Sequence, residues 1–238
     1  MIFYYIRHGD PIYDPDSLTE LGHKQADALS KRLSLYGLDE IYVSTSNRAK
    51  LTAQPTCEAL GITPIECAWA HEALAWERYA VKCEDGAERW CFHDGPTLGK
   101  FHKKEVWAMG AKWYKHPLFQ DTPLATSVPA TNADVDAFMR SLGYDHNREY
   151  GLYRVTKENT KRVALFAHQG FGLAFLSSLL DIPYPQICTR FDFGHSSVTV
   201  VKFEQWGNYA YPKVLQLSND SHLYKEGILT GYHNLFDI

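Results

Sequence analysis

Two histidines and two arginines of this chain stand at positions that favour phosphoryl chemistry. Arg7 and His8 directly follow an apolar stretch, Arg48 follows a run of cap-type residues, and His168 follows a second apolar stretch. The planar guanidinium fork binds phosphate oxygens in a bidentate manner that lysine does not match. A neutral imidazole is a nucleophile toward phosphorus, and neighbouring guanidinium groups lower its pKa and keep it neutral. We therefore predict that His8 becomes a phosphohistidine, from which water later releases phosphate.

The elements that precede these residues would carry them to one edge of a sheet. Residues 2–6 and 163–167 are both short apolar runs, typical of strands buried on both faces. Open α/β sheets place their ligand sites at the carboxyl ends of such strands. Arg48 falls in the first turn of a helix, where a cation is unfavourable with the helix dipole, and this cost indicates an anionic partner. The alternative is an ordinary strand-to-loop junction with solvated arginines and a nearby histidine.

The remaining pattern predicts strands that alternate with helices. The predicted strands are 2–6, 41–43, 163–167, 198–203 and 213–217, the last two joined by the hairpin turn QWGN. The predicted helices are one capped by Thr19 that runs to about residue 35, one that includes Arg48 and ends before 61–64, and one over 171–180. This order indicates a three-layer α/β/α fold with a mostly parallel central sheet.

A long segment, from about residue 68 to residue 160, lacks the strand rhythm of the rest. It contains four prolines, glycine turns and helical stretches around 98–114 and 132–142. We interpret it as an insertion, expected to cover the active site, in a single domain that spans residues 1–238. Its aromatic residues, concentrated over 69–119, indicate either packing of the insertion or an aromatic wall over a binding site.

Composition restricts the classes of function. A net charge of −4 and a pI near 6.2 argue against a nucleic-acid binder that depends on phosphate neutralisation. The apolar runs are too short for a signal peptide or a membrane span, so a cytoplasmic protein without membrane or nucleic-acid partners is expected. The oligomeric state is left open by the sequence.

The side chains that bind metals or form disulfides show no organised spacing. Five cysteines, an odd number without a C-x-x-C pair, are expected to be reduced and mostly buried. His8 and Asp10 resemble the start of a metallohydrolase ligand set, but the His and Asp clusters that would complete it are absent. There is also no G-x-S-x-G elbow and no P-loop. Neither a metal nor a cofactor is expected.

Four stretches of the chain together resemble the histidine phosphatase superfamily, which includes the cofactor-dependent phosphoglycerate mutases. They are IRHGD, LTELGHKQA, STSNRAKLTA and AHQG, in the family's order, and they cover roughly the first quarter and the last third of the chain. The resemblance implies a sheet with one antiparallel strand. It also implies His8 as the nucleophile and three phosphate-pocket residues, Arg7, Arg48 and His168.

Three positions near these motifs need separate interpretation. Gln169 replaces the glycine that usually follows the second histidine, so a side-chain amide contact to substrate is expected there. Asp14 stands where the family often has asparagine, and an acidic group so near an anion is not expected to bind phosphate. His195 lies in a turn where the family's sheet borders the pocket; it is a candidate for substrate contact, with a purely structural turn as the alternative.

A leaving alkoxide needs a proton from a general acid. In the resembled phosphatases this acid is a glutamate roughly two dozen residues after the second arginine, shortly before a Trp-Glu pair. Glu72 fits this spacing, with Trp76 and Glu77 after it. Glu77 and Glu84 are the other candidates, and the competing interpretation of Glu72 is a surface carboxylate on a helix.

The sequence therefore predicts a metal-independent phosphomonoesterase, a histidine acid-type phosphatase that acts on a small phosphorylated metabolite through His8. One alternative is a phosphoglycerate-mutase-type isomerase, whose phosphoenzyme must resist water. Another is a catalytically idle module that binds phospho-ligands, although such a module has no need of both histidines. The substrate itself is not predicted, because the residues that would select it lie in the segment without a recognisable pattern.

Overall fold

The computed structural model describes residues 1–231. The fold of these residues is built around a central β-sheet. In chain order the strands are β1 (Ile2–Arg7), β2 (Pro11–Tyr13), β3 (Asp16–Leu18), β4 (Glu40–Ser44), β5 (Ile65–Cys67), β6 (Ala80–Lys82), β7 (Glu88–Trp90), β8 (Tyr144–Asn147), β9 (Leu152–Val155), β10 (Arg162–Ala167), β11 (Val198–Trp206) and β12 (Tyr209–Asn219). Within these residues, eight strands form one sheet, while β2 with β3 and β6 with β7 form separate two-stranded ribbons.

β1 lies in the interior of the large sheet, between β10 and β11. The strand order is β5, β4, β10, β1, β11, β12, β9, β8. The first four strands are parallel to one another, and every later neighbour is antiparallel. Strands β11 and β9 therefore run against the other six. The prediction of a mixed α/β fold with a large, mostly parallel sheet is confirmed.

The prediction of one antiparallel strand was wrong, because β9 is a second one. Strands β8 and β9 are only four residues each and come from the segment that lacks strand rhythm. Three of the four residues of β8, Asp145, His146 and Asn147, are polar or charged, so the strand has no apolar alternation to reveal it. The predicted hairpin is correct, and both of its strands are longer than expected.

Helices connect the strands and cover the sheet. In chain order they are α1 (Glu20–Tyr36), α2 (Asn47–Leu60), α3 (Glu72–Tyr79), α4 (Gly95–Phe101), α5 (Lys104–Ala108), α6 (Leu124–Ser141), α7 (Gln169–Leu180), α8 (Tyr184–Cys188) and α9 (Ser221–Lys225). The first begins where predicted, because the Thr19 side chain accepts a hydrogen bond from the N–H of Gly22. In the part of the chain that the structure covers, no helix is both long and apolar enough to cross a membrane.

The side chains of β1 pack alternately into two hydrophobic clusters. Phe3 and Tyr5 lie in a cluster with residues of α6 and α7, such as Phe175. Tyr4 and Ile6 lie in a second cluster with residues of α1 and α2. The strand is thus buried on both faces, as its apolar run predicts, and this distribution favours the three-layer interpretation.

The segment 68–160 packs its aromatic residues mainly against one another. Phe101, Trp113 and Phe119 are fully buried, and the Trp113 ring lies 5.4 Å from Phe101 and 5.0 Å from Phe119, centroid to centroid. These contacts favour the packing interpretation over an aromatic wall for this group. The helix expected over 98–114 is divided into α4, α5 and a 3-10 turn, with Gly110 at φ +54° where the 3-10 turn begins.

All five cysteines are free thiols. Cys57, Cys67, Cys83 and Cys91 are buried, and Cys188 is partly buried. The prediction of reduced and mostly buried cysteines agrees with this arrangement.

Candidate active site

The ends of two neighbouring parallel strands bring the two predicted histidines together. Arg7 at the end of β1 pairs in register with Ala167 at the end of β10. The N–H of His8 donates to the carbonyl of Ala167 at 3.0 Å, so the two chains leave the sheet side by side. The imidazole rings of His8 and His168 are consequently 5.2 Å apart, centroid to centroid.

Local contacts fix the protonation of His8. Its Nδ1 lies 2.7 Å from the carbonyl oxygen of Gly9, which can only accept, so Nδ1 carries the hydrogen of the neutral ring. Burial lowers the pKa of His8 well below its usual value, and the cationic Arg7 and Arg48 act in the same direction. The side chain therefore stays neutral near pH 7 and presents the Nε2 lone pair.

The guanidinium of Arg7 is buried, and residues of the turn that precedes β11 accept its hydrogen bonds. Nη1 donates to the carbonyl of Phe193, and Nη2 donates to Nε2 of His195 at 2.8 Å. Because His195 Nε2 accepts, its Nδ1 carries the hydrogen and faces Oδ1 of Asp10 at 3.3 Å. The structure thus places His195 as a direct neighbour of Arg7, with its ring 5.8 Å from that of His8.

Arg48 enters the same region from the first turn of α2, as expected. Its Nη1 is 2.7 Å from Oδ1 of Asp16, and the other oxygen of Asp16 accepts the N–H of Asn47 at 2.7 Å. One anionic partner of Arg48 is therefore a side chain of the protein itself. Asp14, the acidic residue considered from the sequence, is exposed at the turn of the β2–β3 ribbon.

His168 is fully buried beside two serine hydroxyls. Its Nε2 is 2.8 Å from Oγ of Ser44 and 3.3 Å from Oγ of Ser46. A serine hydroxyl can donate one hydrogen bond and accept two; if Ser44 donates to His168 Nε2, the hydrogen of the neutral ring is on Nδ1, which is then a donor. Burial lowers the pKa of His168 well below its usual value, with His8 and Arg48 acting in the same direction. His168 is thus a neutral hydrogen-bond donor rather than a second cation.

Three buried nitrogens around His8 have no hydrogen-bond partner among the residues that the structure describes. They are Nε of Arg7, Nε of Arg48 and Nδ1 of His168. A buried donor without a partner is costly, by roughly 1–3 kcal/mol. An anion with several acceptor oxygens, such as a phosphoryl group, would satisfy donors of this kind.

Glu72 reaches the region from the segment 68–160. It begins α3, and its two carboxylate oxygens accept the N–H groups of Gly170 at 2.9 Å and Phe171 at 2.8 Å, in the first turn of α7. Burial raises the pKa of Glu72, although these two hydrogen bonds and the nearby arginines oppose the increase. His71, directly before it, caps α3 and lies 6.1 Å from the His168 ring.

The other two carboxylates considered from the sequence lie elsewhere. Glu77 and Glu84 are exposed and line a cavity of about 520 Å³ between β6 and α4, whose lining includes neither histidine of the site. The structure therefore brings Glu72 next to the segment that follows His168, and Glu77 and Glu84 are not part of this group.

The side chain of Gln169 has a protein partner. Its side-chain amide donates to Oδ1 of Asp192. The expectation of a substrate contact from Gln169 stays a prediction, and such a contact must compete with Asp192.

Sequence reasoning missed several neighbours of the site. Asp16 and Tyr13 come from the β2–β3 ribbon, whose stretch DPIYDPDS is rich in Pro and Asp and therefore typical of a loop. Ser44 and Ser46 belong to the run of cap-type residues before Arg48. Nothing in their spacing indicates the contact with His168, which is 122 residues from Ser46.

A family model matches the first third of the chain. The model of the family "Histidine phosphatase superfamily (branch 1)" matches residues 3–79, the part that contains Arg7, His8, Arg48 and Glu72. No curated protein sequence matches the chain.

Solved structures resemble almost the whole chain in fold. The phosphoserine phosphatase of Entamoeba histolytica in complex with 3-phosphoglyceric acid has a TM-score of 0.58 at 17% identity, over 93% of this chain and 98% of that one. A mycobacterial glucosyl-3-phosphoglycerate phosphatase in complex with VO3 has a TM-score of 0.56 at 18% identity, over 90% and 97%. A protein described as mycobacterial hydrolase 1 has 0.57 at 18%, over 92% and 98%. The resemblance to the histidine phosphatase superfamily that the sequence predicts is thus confirmed, by the family model over residues 3–79 and, for the fold, by structures similar along more than nine tenths of the chain.

Proposed function

We propose that this protein is a phosphomonoesterase that transfers the phosphoryl group of a small phosphorylated metabolite to Nε2 of His8 and then to water. The observation that carries the proposal is the set of three buried nitrogens, on Arg7, Arg48 and His168, that have no partner among the described residues and surround a histidine whose Nδ1 contact leaves the lone pair on Nε2. A phosphoryl group has three equatorial oxygens for such donors while the nucleophile attacks in line.

The first step forms a phosphorus–nitrogen bond and breaks the ester bond. His8 Nε2 attacks phosphorus, and the leaving oxygen takes a proton from Glu72. The guanidinium groups stabilise the charge on the equatorial oxygens of the transition state. In the second step Glu72, now a carboxylate, takes a proton from water, which attacks phosphorus. The phosphorus–nitrogen bond breaks, and phosphate and the neutral His8 are restored.

The environment of Glu72 suits this role. Its raised pKa favours the protonated acid over the carboxylate. Each carboxyl oxygen has two lone pairs, so a proton can occupy one while the backbone N–H groups of α7 use the others. Those two hydrogen bonds also hold the carboxyl group in one position.

We propose further that the segment 68–160 covers the site within a single domain. It supplies Glu72, and the Trp90 ring of the same segment lies against Gly170, where an added Cβ would come within 2.4 Å of the ring. The proteins that resemble this chain in fold are named for phosphoserine and glucosyl-3-phosphoglycerate. These names support a small phosphorylated metabolite as the substrate class.

The guanidinium and imidazole groups supply the positive charge and donors that the reaction needs, so no metal is required by the proposal. Among residues 1–231, no group of three or more His, Cys, Asp or Glu side chains is placed to hold a metal ion. A mutase with the same phosphohistidine, and an idle binding module, remain the competing functions.

The test measures turnover of p-nitrophenyl phosphate by the wild type and by His8→Ala, with and without a chelator. We expect turnover that survives chelation, is inhibited by vanadate and is abolished in His8→Ala, while His23→Ala, which removes an exposed histidine of α1, keeps full activity. Labelling quenched in neutral detergent should place phosphate on a histidine, in a form that is then lost in acid and kept in base. Label on serine or aspartate, or loss of activity on chelation that metal restores, would contradict the mechanism. If the protein is a mutase, the phosphoryl group is returned from the phosphoenzyme to the organic product, and inorganic phosphate is not released.

A further inference from the structure

The β2–β3 ribbon begins only three residues after His8 and carries an exposed aromatic side chain to the site. Tyr13 is 69% exposed, and the guanidinium carbon of Arg48 lies 5.5 Å from the centroid of its ring. This distance is within the range of a cation–π contact. An exposed tyrosine is therefore held directly above one of the two arginines of the proposed phosphate site.

The ribbon has a defined anchor opposite Tyr13. In the ladder Tyr13 pairs with Asp16, and the Asp16 carboxylate contacts both Arg48 and the N-terminal N–H of Asn47. The ring position is thus tied to Arg48 by contacts on both strands of the ribbon. The Tyr13 ring is thus exposed although its position is fixed by these contacts.

Tyr13 and Glu72 lie around the same guanidinium groups. Burial lowers the pKa of Arg7, whereas the nearby Tyr13 and Glu72 act in the opposite direction. Glu72 is the proposed proton donor to the leaving oxygen, so the leaving group lies on the side of the phosphoryl group that Glu72 faces. Tyr13 is an exposed aromatic side chain beside these guanidinium groups, and its ring is available to a leaving group that extends outward.

We propose that Tyr13 is a specificity-determining residue, whose ring contacts the leaving group of the substrate and favours leaving groups with a planar or apolar face beside the ester oxygen. The inference rests on the proposed function. A tyrosine ring offers a large, stiff surface for such a face, and its contacts do not involve the phosphoryl oxygens.

The test compares Tyr13→Ala and Tyr13→Phe with the wild type on two esters, 1-naphthyl phosphate and ethyl phosphate. We expect Tyr13→Ala to lower kcat/KM for 1-naphthyl phosphate by on the order of three- to tenfold, mainly through KM, and to leave ethyl phosphate within about twofold. Tyr13→Phe should retain the preference, because the ring is kept. Inhibition by vanadate should be unchanged in both variants, because vanadate has no leaving group.

Ile12→Ala is the matched control. Ile12 is the neighbouring residue of the same strand, is 40% exposed, and points to the opposite face of the ribbon. It should behave as the wild type on both esters. Equal losses on both esters in Tyr13→Ala, or a parallel loss of vanadate inhibition, would overturn the proposal and assign Tyr13 to the support of Arg48.

A binding measurement separates this inference from the proposed function. Phenylphosphonate and methylphosphonate contain a carbon–phosphorus bond in place of the ester bond, so their affinities can be compared by calorimetry without turnover. Preferential loss of phenylphosphonate affinity in Tyr13→Ala supports the inference even if neither ester is hydrolysed, an outcome that would reject the phosphatase and leave a phospho-ligand binder. Turnover that depends on His8, with an unchanged phenylphosphonate preference in Tyr13→Ala, rejects the inference and keeps the phosphatase.

Discussion

Glu72 and Phe171 are joined by a hydrogen bond of 2.8 Å, donated by the Phe171 N–H to Oε2 of the glutamate. Since the other oxygen accepts the N–H of Gly170, one carboxylate from α3 caps the helix that begins directly after His168. Glu72 therefore has two separable roles to measure, the stabilisation of a helix N-terminus and the proposed proton transfer. Its substitution should be measured for both.

Replacement of Glu72 with alanine should affect substrates unequally. An alkyl alkoxide leaves only with a proton, whereas p-nitrophenolate leaves without one. We expect kcat/KM for an alkyl phosphate to fall by on the order of a hundredfold or more, with a much smaller loss for p-nitrophenyl phosphate. Loss of the cap should also lower the free energy of unfolding by about 1 kcal/mol, measured by denaturant titration.

Glu77→Ala and Glu84→Ala are the controls, because both side chains are exposed and line a different cavity. Neither should alter the ratio of the two substrates. If Glu72→Ala lowers both activities equally, its role is structural, and the same assays on the two controls identify another acid.

The pH dependence of turnover should have an acidic optimum. The pKa of His8 is lowered well below 6.5, so the ring stays neutral at a pH where a free histidine is already protonated. The pKa of Glu72 is raised above 4.5, so the acid loses its proton as the pH rises through that value. We expect kcat for an alkyl phosphate to decline with rising pH, and p-nitrophenyl phosphate to lack this loss. Glu72→Gln should abolish the difference between the two pH profiles. If the difference persists, a group other than Glu72 causes the loss of turnover with rising pH.

Arg48→Lys should weaken the binding of phosphate and vanadate although the charge is kept. The variant loses the Nε donor that has no protein partner and the fork that reaches Asp16. Because a hydrogen bond to a charged group contributes roughly 1.5–3 kcal/mol, we expect a ten- to hundredfold increase in the inhibition constant of vanadate. Arg154→Lys, on an exposed side chain, provides the control and should leave it unchanged.

His146 should make the stability of the fold depend on pH. Its side chain is inaccessible to solvent, with Nδ1 at 2.9 Å from Asp136 and Nε2 at 2.7 Å from Asp181. Burial opposes the charged ring, but the two aspartate hydrogen bonds outweigh it and raise the pKa of His146. Arg148, which contacts both aspartates, opposes the shift, and the Tyr153 ring stacks on the imidazole at 4.0 Å.

The direction of this pH dependence follows from the raised pKa of His146. The stabilisation is fully present below the unfolded pKa of about 6.5 and is lost as the pH rises through the folded value. We expect His146→Asn to lower the free energy of unfolding by roughly 2 kcal/mol at pH 5.5, and by less at alkaline pH, in denaturant titrations. A difference that grows with rising pH would show that the neutral ring is the stabilised form.

The meeting of the two histidines and two arginines could be predicted from the sequence because each follows a local pattern. A buried strand ends before His8 and another before His168, and adjacent parallel strands bring their carboxyl ends to one edge. Glu72 could be proposed only from the resemblance to a family, since the contact between α3 and α7 joins residues 99 apart.

The contacts that the sequence did not reveal depend on registers and side-chain directions. Asp16 meets Arg48 because a three-residue strand pairs in one particular register, and no periodicity is visible in so short a strand. His146 lies in a strand of four residues; of its two partners, Asp136 belongs to α6 and Asp181 directly follows α7. Such networks satisfy buried polar groups individually and leave no repeat in the sequence.

The position of β1 between β10 and β11 has a consequence for synthesis on the ribosome. Both of its partners, residues 162–167 and 198–206, follow it in the chain and are therefore made after it. In a nascent chain, five consecutive apolar residues thus have both strand edges unpaired until the two partner strands have been made. Open, apolar edges pair readily with other chains. The strand that precedes His8 is thus open to such pairing during translation, and a fragment limited to residues 3–79 lacks both strands that would pair with it.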